Sequence, residues 1–349
     1  AKDWEILDNY KEYIFYLRKG VKWSDGYPFT TNDIIYFWEN ESKDPAVNIR
    51  ITDIFWHIGK LATFSAVDKY TLKIRFSDPY PDFLDRLATW HGQKLLGSPA
   101  HYLKQYHPGL GDQEFIKGEM DRYGMPNSAM LYSYVKRWNN TAHPRLWPWI
   151  YRTYTPNPPY IFVRNPYYFA VDPEGNQLPY IDRLILQERQ GDMANVAAIN
   201  GELSYHQNMP FSQYSLAMAQ RENGNYDVYH WPRLSGTDFL IFPNHNLQPY
   251  SNDPDVIRKA DLIRNKSFRQ ALSLAMDRDF ISKVEYNGLL TAAQISPPPE
   301  SIWFNERLKN SYIEYDPLRA GELLDSIGLH GRDKEGFRTF PGGERLLLY

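Results

Sequence analysis

The sequence predicts an α/β protein built as two or more lobes. Three observations carry this expectation. Runs of alternating apolar and polar residues read as strands, capped runs of helical period stand between them, and 349 residues exceed what one hydrophobic core usually serves.

The elements follow in chain order. Tyr13, Phe15 and Leu17 alternate with Ile14, Tyr16 and Arg18, a period-two pattern of bulky side chains that predicts a strand with one buried face. Ser24-Asp25-Gly26 predicts a turn, with Gly26 free to take positive φ and Asp25 able to accept from nearby amides. Thr30 and Asp33 have capping-box spacing, and Ile34, Phe37 and Trp38 form the apolar stripe of the helix behind them. Tyr70, Leu72, Ile74 and Phe76 alternate with Thr71, Lys73 and Arg75, a second half-buried strand closed by Asp78-Pro79-Tyr80-Pro81. From Pro144 to Pro159, proline and tryptophan crowd the chain, which opposes helix and predicts a loop crossing between subdomains.

Beyond the crossing, Tyr160–Arg164 and Tyr180–Glu188 predict strands on either side of an acidic turn, Asp172-Pro173-Glu174-Gly175-Asn176. That turn lacks the spaced ligand series of a calcium loop and is read as a hairpin. Asp192–Ile199 predicts a helix ending near Gly201. Further on, Phe268, Ala271, Leu272, Ala275 and Met276 share a helical face; Asp277 caps the next helix, whose Phe280, Ile281 and Val284 are expected to be buried before Gly288. Asp316 predicts an N-cap with Pro317 at the first helical position, Leu323, Leu324 and Ile327 inside, and Gly328 as the stop.

Composition narrows the function. The net charge is -3 with 23% charged residues, so no basic stripe offers itself to nucleic acid or an anionic membrane face. With no cysteine there is no disulfide framework, thiol nucleophile or thiolate zinc site. None of the nine histidines falls in an HExxH-type pattern, so no metal and no cofactor is expected. There is no GxSxG elbow, Walker loop or dinucleotide fingerprint. Glycoside hydrolysis needs only two facing carboxylates, and with 42 Asp and Glu residues it stays open as the catalytic alternative. No stretch approaches the ~20 apolar residues that span a bilayer.

The spelling of four segments adds a resemblance. Phe15–Ile34 (FYLRKGVKWSDGYPFTTNDI), Val163–Arg183 (VRNPYYFAVDPEGNQLPYIDR), Phe268–Arg278 (FRQALSLAMDR) and Tyr315–Leu329 (YDPLRAGELLDSIGL) are similar, in order, to signatures of family 5 bacterial extracellular solute-binding proteins. These are the peptide, dipeptide and nickel receptors of ABC importers. The family's glycine-threonine-glycine-proline-phenylalanine turn is absent from the 144–159 region.

The resemblance implies a periplasmic-binding-protein type II-like fold, two lobes of mixed sheet flanked by helices and joined by extended hinge strands. It divides the chain into a strand-rich first-lobe subdomain over residues 1–145, a first-lobe core subdomain over 146–240 and the start of a second lobe over 241–349, with a hinge at Thr237–Phe242. Both ends look internal to such a receptor, so a segment of a longer protein is expected, with any export signal or lipid anchor outside it. The implied function is monomeric capture of an oligopeptide by lobe closure and delivery to an ABC permease, in the periplasm or outside the cell. An oligosaccharide is the alternative ligand, since the tryptophan faces of predicted loops suit sugar rings. The expected ligand-binding residues, chosen for their place on crossover and inter-lobe loops, are Trp56, Trp147, Trp149, Trp231, Thr237, Asp238 and Phe239. A carboxylate that pairs with a peptide amine in such receptors is expected beyond Tyr349.

Overall fold

The computed structural model describes residues 1–47, 51, 53–153, 158–230, 240–246 and 252–348. The chain forms two compact units, Ala1–Glu188 and Arg189–Tyr349. The sequence boundaries at 145 and 240 fall inside these units.

In the first unit, β1 (Asp3–Leu7), β2 (Glu12–Tyr16), β5 (Thr63–Asp68) and β6 (Thr71–Arg75) form an antiparallel sheet of order β1-β2-β6-β5. Between β2 and β5 lie helix α1 (Thr31–Tyr36) and a small hairpin of β3 (Trp56–His57) and β4 (Lys60–Leu61). The alternation read from the sequence sets the inner face. Tyr13 is opposite Ile74 and Phe15 opposite Leu72, and all four are buried. Above this face Trp38 stacks on Phe64 with ring centroids 4.4 Å apart, and Phe55, Phe76 and Phe83 close the layer edge-on. Such ring pairs contribute roughly 0.5–1.5 kcal/mol each beyond their area. Burial also pushes the Tyr13 phenol up to about 12.

Helix α1 starts as its capping box requires: Asp33 Oδ2 accepts the Thr30 N–H at 2.9 Å, and the Thr30 hydroxyl accepts from Asn32 N–H. Its continuation departs from the expected regular helix. Phe37–Ser42 is wound as a π-helix, which turns Glu41 inward together with Trp38. The buried Glu41 carboxylate accepts from the Tyr132 hydroxyl, from Ser98 Oγ at 2.5 Å and from Lys136 Nζ at 2.7 Å. A carboxylate away from water needs donors on both oxygens, and three side chains supply them here. Tyr132 and Lys136 belong to or follow α5 (Ser128–Val135), which with α2 (Phe83–Leu87), α3 (Ala100–Leu103) and α4 (Gln113–Tyr123) completes the α-helices among the described residues of this unit.

The proline- and tryptophan-rich crossing is not all loop. Trp149–Tyr151 forms strand β7, which pairs with β8 (Tyr160–Arg164), and β8 pairs with β9 (Arg183–Leu186). An edge position lets the short run join a sheet despite its prolines.

The second unit is helical: α6 (Met193–Ile199), α7 (Tyr214–Gln220), α8 (Pro254–Arg264), α9 (Lys266–Leu274), α10 (Arg278–Tyr286), α11 (Glu306–Lys309) and α12 (Pro317–Ser326). The expected caps form, with Asp277 Oδ1 accepting Phe280 N–H at 2.8 Å and Asp316 Oδ1 accepting Arg319 N–H at 3.0 Å. Helix faces differ from the expectation in two places. In α9 the buried residues are Phe268, Ala271 and Leu274, while Leu272 and Ala275 point outward. In α10 the anticipated stripe is largely exposed, Phe280 by 61% and Val284 by 60%, because Ser282 occupies the inner position and clasps Leu290 through its N–H and C=O. Helix α6 closes near Gly201 as expected: the Gly201 and Glu202 N–H groups fold back onto the Ala198 and Ala197 carbonyls. Of the expected hinge, 237–239 lie outside the described residues, and Leu240–Phe242 has no regular structure.

One local design recurs four times among the described residues, at 22–28, 171–177, 332–338 and 339–345. Each spans an isolated antiparallel bridge between its first and seventh residues. In each, the second residue's N–H reaches the sixth carbonyl, the fifth N–H returns to the second carbonyl, and the fifth residue is a glycine with φ between 84° and 89°. Only glycine takes that conformation without strain, so Gly26, Gly175, Gly336 and Gly343 are set by the turn itself. The acidic turn is one of these copies. Its Asp172 is fully engaged by Glu174 and Asn176 N–H, Asn176 Nδ2 and the Tyr180 hydroxyl, which hold its carboxyl down to about 2.

Candidate functional site

The first of these turns is locked to the tryptophan-rich loop. Ser24 N–H donates to the Arg145 carbonyl at 2.9 Å, and Arg145 N–H donates back to Ser24 Oγ at 2.9 Å. The buried Arg145 guanidinium donates to the Lys136 and Arg137 carbonyls at the C-terminal end of α5, where a cation is favoured. Burial lowers its pKa to about 10. Its Cζ lies 4.8 Å from the Trp147 ring centre, so one face of Trp147 is covered by the cation while the side chain remains 44% exposed.

Fully buried Asn165 fixes the same loop from the other side. Its Nδ2 donates to the Trp147 carbonyl at 2.9 Å, its Oδ1 accepts from Tyr167 N–H, and its own N–H donates to the Pro148 carbonyl. Two residues on, Trp149 is half-buried in β7 with its indole N–H on the Ile181 carbonyl at 2.9 Å. The turn also carries Tyr27, exposed and stacked on His101 at 4.0 Å, with His101 Nε2 2.7 Å from Asp25 Oδ2. Tyr167 packs on Gly26 so closely that a Cβ there would lie 3.2 Å from its hydroxyl.

The result is a set of exposed aromatic side chains, Tyr27, Trp147 and Tyr167, fixed around one rigid turn. It offers flat apolar faces with hydrogen-bonding edges, the chemistry of binding. Near Arg145 lies His143, buried and edge-on to Tyr102 at 5.4 Å. Burial first, and then the nearby Arg145, Lys136 and His101, hold its imidazole well below the usual range.

Among the expected site residues, Trp147 and Trp149 come together on one loop-to-strand segment. Trp56 sits apart, exposed on the β3–β4 hairpin opposite Leu61. Trp231, Thr237, Asp238 and Phe239 lie outside the described residues. Arg145, Asn165 and Tyr27 were not anticipated as parts of this surface. The Ser24-Asp25-Gly26 and Arg164-Asn165-Pro166 motifs held the signal, yet nothing in either shows its partner across the chain. No group of three or more metal-ligating side chains exists among the described residues, and no described helix is long and apolar enough to cross a membrane.

The chain is 28% identical over 348 residues to the periplasmic alpha-galactoside-binding protein of Rhizobium meliloti, covering 99% of the chain and 48% of that relative. A glutathione-binding protein of Escherichia coli is 24% identical, with 94% and 52% covered. Among solved structures, an oligopeptide-binding protein OppA superposes with a TM-score of 0.75 at 35% identity, over 99% of this chain and 54% of that one. The periplasmic binding protein MelB of Agrobacterium fabrum, in complex with stachyose, gives 0.63 at 25% identity, with 99% and 50% covered. These relatives are binding proteins, and the chain spans about half the length of those it matches. The family described as bacterial extracellular solute-binding proteins, family 5 Middle, matches residues 1–349, and the chain belongs to it.

Proposed function

We propose that this chain is part of the solute-binding component of an ABC importer, a non-catalytic receptor that captures an oligopeptide outside the cytoplasm and hands it to a membrane permease. The family match over the whole chain carries the reading, and the similarity to an oligopeptide-binding protein supports the ligand class. Trp147, Trp149 and Trp56 are proposed ligand contacts, with Tyr27 added by its exposure beside Trp147's loop. The first-lobe and second-lobe assignment of residues 1–145, 146–240 and 241–349 belongs to the same proposal.

An oligosaccharide ligand is the second reading. The alpha-galactoside-binding relative and the stachyose complex favour it, and so does the outward face of Trp147, since a flat indole suits the apolar face of a sugar ring.

A thermal-shift screen of the full-length protein against oligopeptides, raffinose-type galactosides and nickel separates these readings. Ligand at about 100 times its Kd adds roughly 2.7 kcal/mol to stability. A saturable rise with peptides supports the first reading and a rise confined to galactosides the second. No rise with any of them, together with turnover of a chromogenic glycoside, would sink the receptor function. Trp147→Ala is expected to weaken the ligand that binds about tenfold.

A further inference from the structure

We propose that the groove between residues 18–22 and 165–177 of the first unit is a binding site for a phosphate group carried on an organic molecule. Its volume is about 410 Å3, within the usual range of ligand sites. Arg18, Lys19 and Lys22 line one wall, and Tyr167, Tyr168 and Phe169 the other.

Both walls are built. The first leads into the 22–28 turn, against whose Gly26 the Tyr167 ring is packed. The second is held by Gln177, whose Nε2 donates to the Pro166 carbonyl at 2.9 Å and to the Tyr168 carbonyl at 2.8 Å.

The charge pattern points to an anion. Several exposed cations of this unit meet carboxylates: Arg75 binds Glu12 and Asp8, Lys73 binds Glu12, and Lys43 binds Glu39. Among the described residues, no ion pair involves Arg18, Lys19 or Lys22. Lys19 lies instead 5.9 Å from the Tyr70 ring, and Lys22 5.4 Å from the Tyr167 ring. Three like charges held in one groove repel each other, and an anion relieves that repulsion. In a chain of net charge -3 this concentration is local.

A phosphate ester fits better than a single carboxylate. As a monoester it brings up to two charges and three terminal oxygens to three separate cations, as a diester one charge and two terminal oxygens, and a guanidinium takes two of those oxygens in parallel. Tyr167 and Phe169, 41% and 43% exposed, then offer apolar faces to the organic part. None of these side chains belongs to the proposed Trp147 surface except Tyr167, so the two sites are separable by mutation of the cations.

The phosphate could be free or part of a phospholipid headgroup, and the test has an arm for each. Binding of glycerol 3-phosphate to the full-length protein is measured by calorimetry, and binding to phosphatidylglycerol vesicles by sedimentation, with phosphatidylcholine vesicles as the uncharged control. Saturable binding is expected in at least one arm, weakening as salt rises from about 50 to about 500 mM. It should fall about tenfold or more in Arg18→Gln/Lys22→Gln and stay unchanged in Lys60→Gln. Binding in the first arm alone identifies a soluble ester, and in the second alone a lipid headgroup. If the double variant loses its cooperative unfolding transition, Lys22→Gln is read in its place, with a loss of about threefold or more expected. No saturable binding in either arm, equal binding to both kinds of vesicle without glycerol 3-phosphate binding, or undiminished affinity in the cation variants overturns the proposal.

Discussion

The two units solve the problem of burial differently. In Ala1–Glu188 one continuous cluster runs through Tyr13, Trp23, Trp38, Phe55, Phe64 and Phe83, with a second around Tyr36, Leu103, Leu131 and Tyr132. In Arg189–Tyr349 the clusters are small, Phe268 with Leu329 and Phe340, and Ala271 with Leu274 and Ala320. The second unit also leaves Ile302, Trp303 and Leu318 more than three-quarters exposed. Among the described residues the first unit holds most of the buried apolar side chains although the two units are of similar length, and mutations should report that asymmetry.

The largest effect is expected at the centre of the first core. Trp38→Ala removes a ring stacked on Phe64 and should cost about 4 kcal/mol, read as a lowered midpoint in urea unfolding followed by near-ultraviolet dichroism. A loss under about 1 kcal/mol would break the contrast. Next comes Asn165→Ala, which strips the buried side-chain bonds to the Trp147 carbonyl and the Tyr167 N–H, and should cost about 2 kcal/mol while also changing Trp147 fluorescence.

The third prediction concerns pH. His143 has its imidazole pKa depressed by burial and by Arg145, Lys136 and His101 around it. The unfolded chain therefore binds a proton, near pH 6.5, that the folded chain refuses. The stability this group confers is present above about pH 6.5 and is lost as pH falls below it, by at most about 1.4 kcal/mol per unit. His143→Leu should flatten that part of the urea midpoint against pH; an unchanged slope would assign it to other groups. The smallest effect belongs to the second unit. Phe280→Ala, at a residue 61% exposed, should shift stability by less than about 0.5 kcal/mol, and a larger shift would mean that α10 is better packed than its exposure shows.

Legibility in the sequence followed the range of the interaction. Strands β2 and β6, the capping box at Thr30 and Asp33, and the caps at Asp277 and Asp316 are local patterns, and each formed where it was read. The π-helical turn was hidden because its reason, the Tyr132, Ser98 and Lys136 donors to Glu41, lies 57 to 95 residues away. Likewise β7 could not be separated from a proline-rich loop without its partner β8. Helix α10 shows the converse limit, since an amphipathic stripe announces an apolar face without saying what covers it. Within the candidate surface, the tryptophans stood out by their place on a predicted crossover loop, whereas Arg145 and Asn165, which hold Trp147 in place, looked ordinary. The serine of the Ser24-Asp25-Gly26 turn proved to be the other half of that attachment.

The glycine-marked turns bear on how the chain finds its fold. Each closes a seven-residue loop with its own hydrogen bonds, and hairpin closures of that size take about 1–10 μs. Four sharp reversals can thus be in place before distant strands such as β2 and β6, about 60 residues apart in sequence, begin to search for each other. The slow pairings then start from a chain whose corners are already bent.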